Sequence, residues 1–315
     1  MRTITNVLGL PDAIVRAVAN DDYDRGESDI TVTQLLDPPR KVVIAQQHEH
    51  EIVEDAADRI YALMGQAIHT VLERANVSDS VEERLYTTVL GWKVGGRFDT
   101  VALVPDPEFG HILSDYKNVS RWEITHGIKP ERHAQLNILG WMAKQAGYTV
   151  DRLEAVCIIR DWSKGEARRK PDDYPPKQVM RYFIPTWPEA QVVAFLAERV
   201  LAHQAARDSL PECSDEERWY KGTTWALRKK KNKRATRVLD SYEHAFEYAR
   251  ANGAVVTATL GVIYEEGLHK DWVIEERPGE NTRCADYCDA LPWCEQGQAL
   301  LAAVPTTEDS DEAAS

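Results

Sequence analysis

Residues 92–119 read WKVGGRFDTVALVPDPEFGHILSDYKNV, and this stretch decides the fold. Two strand-like runs, Trp92 to Val104 and His111 to Val119, flank the turn-rich Pro105–Gly110, so an antiparallel hairpin is expected. Side chains two apart on a strand share a face, which points Asp115 and Lys117 the same way. Pairing Val104 with His111 across the turn sets Asp99 opposite that pair. Opposed side chains have Cβ atoms about 4.5 to 5.5 Å apart. Two carboxylates at that separation can share a divalent ion.

Upstream, apolar residues recur at three or four from Ile52 to about Ala75, predicting one long amphipathic helix. His69 lies one position off the apolar stripe, on an edge shared with Gly65 and Glu73. Downstream come a helix around Glu131 to Ala146, a strand from Leu153 to Arg160, a strand over Val179–Ile184 and a long helix from Pro188 to about Arg207. Helix, hairpin, helix, strand is the order of an α/β protein with a mixed sheet flanked by helices. After Asp208 the pattern becomes strand, turn, strand and a helix from Ser241 to Ala251, with a further strand pair over Val255–Glu266 and Trp272–Glu276. The expected division is a core over 1–212, a small α+β module over 213–298 and an acidic, disordered tail over 299–315.

The bulk numbers bound the function. With 315 residues and 43% hydrophobic content, the chain can build one sizeable core and a satellite. No stretch approaches the ~18 apolar residues of a membrane helix and no leader pattern opens the chain, so a soluble, cytoplasmic protein is expected. The net charge of −13 argues against coating nucleic acid by bulk charge, although a local basic strip can still hold phosphates. No phosphate-binding loop of the G-x4-GK[ST] kind is present, so no ATP motor is expected.

The constellation suits phosphodiester hydrolysis. That reaction needs an activated water and neutralisation of charge at phosphorus, which carboxylate-held Mg²⁺ or Mn²⁺ supplies. Lys117 can orient or deprotonate the water and offset the phosphate charge. A histidine ligand at His69 would favour Mn²⁺ somewhat.

Gly65-x3-His69, Gly96-Arg97-Phe98-Asp99, Asp115-Tyr116-Lys117 and Gln135 on the next helix, in that order, resemble the motif set of RecB-like exonucleases in the PD-(D/E)xK superfamily. The match covers roughly residues 30 to 160. It implies a restriction-endonuclease-like fold in which His69, Asp99 and Asp115 hold the metal, the carbonyl of Tyr116 completes its shell, Lys117 is catalytic and Gln135 contacts substrate. The family often has a tyrosine four residues after the glutamine; here that position is Leu139. The resemblance implies a metal-dependent deoxyribonuclease of phage or bacterial replication, recombination or repair, in the host cytoplasm if phage-encoded. Its partners would be DNA and a single-strand annealing or recombination protein. The alternative is a non-catalytic DNA-binding accessory protein with a retained nuclease fold.

Cys284-x3-Cys288-x5-Cys294 places three thiols within eleven residues, and Cys213 offers a fourth. Four thiolates suit Zn²⁺ or an iron–sulfur cluster, and spacing alone does not choose. RecB-like relatives of the AddB and CRISPR-associated types carry a 4Fe-4S cluster on three C-terminal cysteines and a remote one before the core. Here the corresponding Asp37-Pro38-Pro39 has no cysteine, so Cys213 stands in for it. Cys157, among apolar neighbours, reads as a buried strand residue. The segment this cluster would close carries the basic run Arg228 to Arg234, with Trp219 and Trp225 upstream. It is either a solvated turn or a phosphate strip with a tryptophan to stack on an unpaired base.

Overall fold

The computed structural model describes residues 2–20, 26–75, 80–81, 83–103, 110–260 and 263–303. The chain divides into two compact units, Met1–Pro211 and Glu212–Ser315. The turn expected over 105–109 and the tail beyond residue 303 lie outside the described residues.

In the first unit the order is β1 (Thr3–Thr5), α1 (Asp12–Ala19), β2 (Ile30–Thr31), α2 (Val32–Leu36), α3 (Pro39–Gln47), β3 (Val53–Asp55), α4 (Ile60–Ala75), β4 (Ser80–Val81), β5 (Arg84–Val89), β6 (Trp92–Arg97), β7 (Thr100–Leu103), β8 (His111–Val119), α5 (Arg121–His126), α6 (Pro130–Gln145), β9 (Arg152–Ile159), α7 (Lys164–Arg169), β10 (Val179–Ile184) and α8 (Glu189–Asp208). Five strands form a sheet in the order β10-β9-β8-β7-β4, and β2-β6-β5 form a smaller one. The larger sheet is mixed: β8 and β9 run parallel, while β7 and β10 are antiparallel to their neighbours. The unit is therefore α/β. β9 is buried on both faces, with Leu153, Ala155, Val156, Cys157 and Ile159 all buried, which is why it reads as a nearly continuous apolar run. Its one buried acid, Glu154, accepts from Arg181 Nε at 2.9 Å.

Polar locks fix the elements around this sheet. Thr31 and Gln34 form a capping box at the start of α2, satisfying two otherwise orphaned donors. At its other end α8 supplies donors: Arg199 reaches the carbonyls of Leu35 and Asp37 at 2.9 and 2.8 Å. His203 Nε2 donates to Leu35 O at 3.2 Å. Buried Asn137 on α6 donates to Pro185 O and accepts from Trp187 N–H, tying the segment after β10 to the helix.

Several expectations need correction. The helix expected from Ile52 begins only at Ile60. Asp55 accepts from the main-chain N–H groups of Val7 and Ala57 at 2.7 and 3.0 Å, so Val53–Asp55 is drawn into a parallel pair with β1. The strand expected over Trp92–Val104 is two strands in two sheets. β6 pairs with β2 and β5, and β7 pairs with β4 and β8. The chain changes sheets at Phe98, which is fully buried and packs edge-on to Tyr148 at 5.6 Å. The hairpin register places Leu103, not Val104, opposite His111.

The second unit holds β11 (Tyr220–Lys221), β12 (Thr224–Lys229), β13 (Arg237–Leu239), α9 (Tyr242–Ala251), β14 (Val255–Leu260), β15 (Ile263–Leu268), β16 (Trp272–Arg277), β17 (Glu280–Asn281), α10 (Thr282–Asp286) and α11 (Glu295–Ala302). Its core is the sheet β13-β12-β16, with Leu227, Ala249 and Ala254 buried together. The late strand pair was misjudged: β14 and β15 pair with each other, and β16 joins β12. Residues 299–302, expected in a disordered tail, are the last turns of α11.

Candidate active site

The sheet change at Phe98 leaves Asp99 at a bend between β6 and β7, where its carboxylate is no longer committed to a strand face. Asp99 Oδ2 accepts the Tyr116 main-chain N–H at 2.6 Å, and its Oδ1 lies 3.3 Å from His69 Nδ1 on α4. One strand neighbour away, Lys117 Nζ donates to Asp115 Oδ1 at 2.7 Å. Asp99, Asp115, Lys117, His69 and Gln135 thus line one cleft of about 240 Å³, with Thr31 and Thr33 at its side. Tyr116, expected to offer its carbonyl to a metal, holds Asp99 in place through its main-chain N–H.

Asp115 is 2% exposed, and its Oδ2 is buried with no hydrogen-bond partner. Burial raises its pKa and the charge of Asp99 raises it further, while Lys117 and Arg132 oppose the rise. An orphaned carboxylate oxygen costs stability, and a cation held between Asp99 and Asp115 would offset that cost. Among the described residues no group of three or more His, Cys, Asp and Glu side chains is gathered tightly enough to hold a metal as placed.

Arginines complete the cleft, and the sequence reading missed their placement. Arg84 on β5 and Arg97 on β6 are directly opposed in register and both line the cleft. Arg132 lies three residues before Gln135 on α6, ion-paired with buried Glu123 at 3.1 Å. Its charge reaches both Asp115 and Cys157. No local pattern signals these residues; they come together only when β5, β6 and α6 are folded.

In the second unit the four candidate thiols lie near enough to feel one another's charge. Burial is the main cause that pushes Cys213 up to about 12, followed by Glu217 and the thiols of Cys294, Cys288 and Cys284. None is in a disulfide. Cys213 is clasped to α11 by two hydrogen bonds with the Gln296 side chain, at 2.9 and 3.0 Å. Cys294 caps α11, its Sγ accepting from Gly297 N–H. β11 pairs with β17, so the segment between Cys213 and Cys284 is closed by main-chain pairing as well. Cys157 is fully buried in β9, and burial pushes its thiol up to about 11.

No family model matches this chain, and no curated protein is similar to it. A solved structure titled "Crystal structure of SSO0001" is similar at 18% identity over 60% of this chain and 83% of that one, with a TM-score of 0.41; likeness at that level carries no argument about function. Among the described residues no helix is long and apolar enough to cross a membrane.

Proposed function

We propose that this chain is a metal-dependent DNA nuclease of restriction-endonuclease-like fold, an exonuclease of the PD-(D/E)xK superfamily. The observation that carries the reading is the convergence of Asp99, Asp115, Lys117 and His69 from a strand junction, a strand and a helix on one cleft, with Asp115 Oδ2 buried and unpartnered. Asp99, Asp115 and His69 would hold Mg²⁺ or Mn²⁺, which supplies Lewis acidity at the phosphate and acidifies water.

The chain's own groups have separable tasks. Lys117, fixed by Asp115, would stand beside the reacting phosphate, where an amine can offset its charge or pass a proton to or from the attacking water. Arg84 and Arg97 bind phosphate oxygens along the cleft, for which the guanidinium fork is suited. Gln135 offers an amide to substrate from α6. The thiols of Cys213, Cys284, Cys288 and Cys294 would hold a 4Fe-4S cluster, or Zn²⁺, as a structural staple; four thiolates are a donor set that suits either.

Incubating the full chain with end-labelled linear DNA and with closed circular DNA, in Mn²⁺ and in chelator, tests the reading. Metal-dependent release of nucleotides from the linear form alone is expected. Inertness toward both forms in Mg²⁺ and Mn²⁺ would favour the accessory-protein alternative.

A further inference from the structure

The run Arg228–Arg237 contains seven basic residues and no acid, in a chain with 51 acids against 38 Lys and Arg. Two of the seven have partners inside the fold. Arg228 pairs with Glu275 at 2.6 Å, and the Lys229 ammonium lies over the Trp272 ring. The side chains of Lys230, Lys231, Lys233, Arg234 and Arg237 make no ion pair or hydrogen bond among the described residues, and all five are exposed. Nearby acids are engaged elsewhere: Asp240 with His244 at 2.7 Å, Asp271 with His269 at 3.6 Å and Glu275 with Arg228.

A solvated basic turn would need no fixed form, but this one is pinned by main-chain hydrogen bonds. Asn232 N–H donates to Lys229 O at 2.9 Å, Lys230 N–H to Asp271 O at 2.9 Å and Thr236 N–H to Leu227 O at 2.8 Å. Like charges are thereby held side by side, at a Coulomb cost that an anion would relieve. Lys233, Arg234, Arg237 and Arg277 border an open hollow whose remaining wall is Ala235, Thr236 and Val238. The charges are strung along the turn and into β13 instead of converging on a point, which suits a chain of phosphates better than a single one.

We propose that the β12–β13 turn of the second unit is a phosphate-backbone binding site for nucleic acid, separate from the hydrolytic cleft. The choice of nucleic acid among polyanions rests on the nuclease reading. Recognition is electrostatic, and Trp219, a sequence candidate for a stacking platform, does not serve as one, because it is already packed by Arg283 at 4.6 Å and by the Tyr287 ring at 5.5 Å.

The test is fluorescence anisotropy of the full chain with a labelled DNA duplex in chelator, across a salt series. It compares the wild type with a variant carrying Lys230→Ala, Lys231→Ala, Lys233→Ala, Arg234→Ala and Arg237→Ala. The variant should bind at least about tenfold more weakly, and its slope of log affinity against log salt should be smaller by about 4.5, near 0.9 for each of the five lost contacts. A Lys230→Arg, Lys231→Arg, Lys233→Arg variant keeps the charge and should bind as the wild type does, which separates lost charge from lost structure. Metal-dependent hydrolysis of bis(4-nitrophenyl) phosphate, which carries one phosphate and no backbone for the turn to hold, should be the same in all three proteins. Loss of DNA binding in a chain that hydrolyses nothing would leave this site standing and remove the nuclease reading. Unchanged affinity and slope in the alanine variant overturn the proposal, as does loss of binding to phosphatidylserine vesicles with DNA binding intact.

Discussion

At the scale of residues, the charged cleft separates stability from chemistry. Asp115 carries a buried, unpartnered oxygen, so Asp115→Asn removes a buried charge while keeping the side-chain shape. The melting temperature should hold or rise, and DNA hydrolysis should fall by about a hundredfold or more, a trade expected where a site is built against its own stability. A drop in melting temperature of many degrees would show that the carboxylate serves the fold. Lys117→Ala should lower turnover by orders of magnitude and leave Mn²⁺ binding measurable by calorimetry, since an ammonium does not ligate a cation. Loss of Mn²⁺ binding would recast Lys117 as a residue that shapes the site. Asp115 and Lys117 were legible because strand period alone puts them on one face, whereas His69 and Gln135 were singled out by their place in an ordered motif set that resembles a known one. Arg84 was not, since its relation to Arg97 exists only through the β5–β6 register.

At the scale of elements, packing and pH define how the cleft is held. A Cβ on Gly95 would sit 2.8 Å from Ser28 Cβ, an atom with no freedom to swing aside. Gly95→Ala should therefore cost about 1–3 kcal/mol by overpacking, read from urea melts; no loss would mean that the segment before β2 yields. His203 joins α8 to α2 through Nε2–H, leaving Nδ1 buried without a partner. Burial pushes this imidazole from 6.5 down to about 4. Between those values the unfolded chain takes up a proton that the folded chain refuses. The stabilisation is complete above about pH 6.5 and falls away as the pH drops toward 4, by on the order of 2 kcal/mol. His203→Gln keeps a donor for Leu35 O and should lose that much less stability than the wild type between pH 7 and pH 4. Identical losses would place the titration elsewhere. Periodicity found α6, β9 and α8 to within a residue or two, yet it merged β3 with α4 and β6 with β7. Apolar spacing cannot see that Asp55 gathers main-chain donors from Val7 and Ala57, or that a strand changes sheets at a buried Phe98.

At the scale of the whole molecule, the chain divides into two compact units that can be probed apart. If Cys213, Cys284, Cys288 and Cys294 hold a 4Fe-4S cluster, anaerobically purified chain should be brown with about four irons, and Cys157→Ser should change neither. Colourless protein containing zinc would assign the staple to that ion. Because β11–β17 pairing and the Gln296 clasp also close the module, Cys288→Ser should loosen the second unit without unfolding the first, so protease cuts should appear there first. The close spacing of Cys284, Cys288 and Cys294 was legible in the sequence; the closure by main-chain pairing of Tyr220 with Asn281 was not, because no local pattern announces it. The central claim is that Asp99 and Asp115 form a metal-dependent hydrolytic centre. Its most direct test is hydrolysis of end-labelled DNA by wild type and Asp115→Ala side by side over a Mn²⁺ titration. The account predicts saturable, metal-dependent cleavage by the wild type and none by the variant at matched fold content, whereas equal cleavage by both proteins would contradict it.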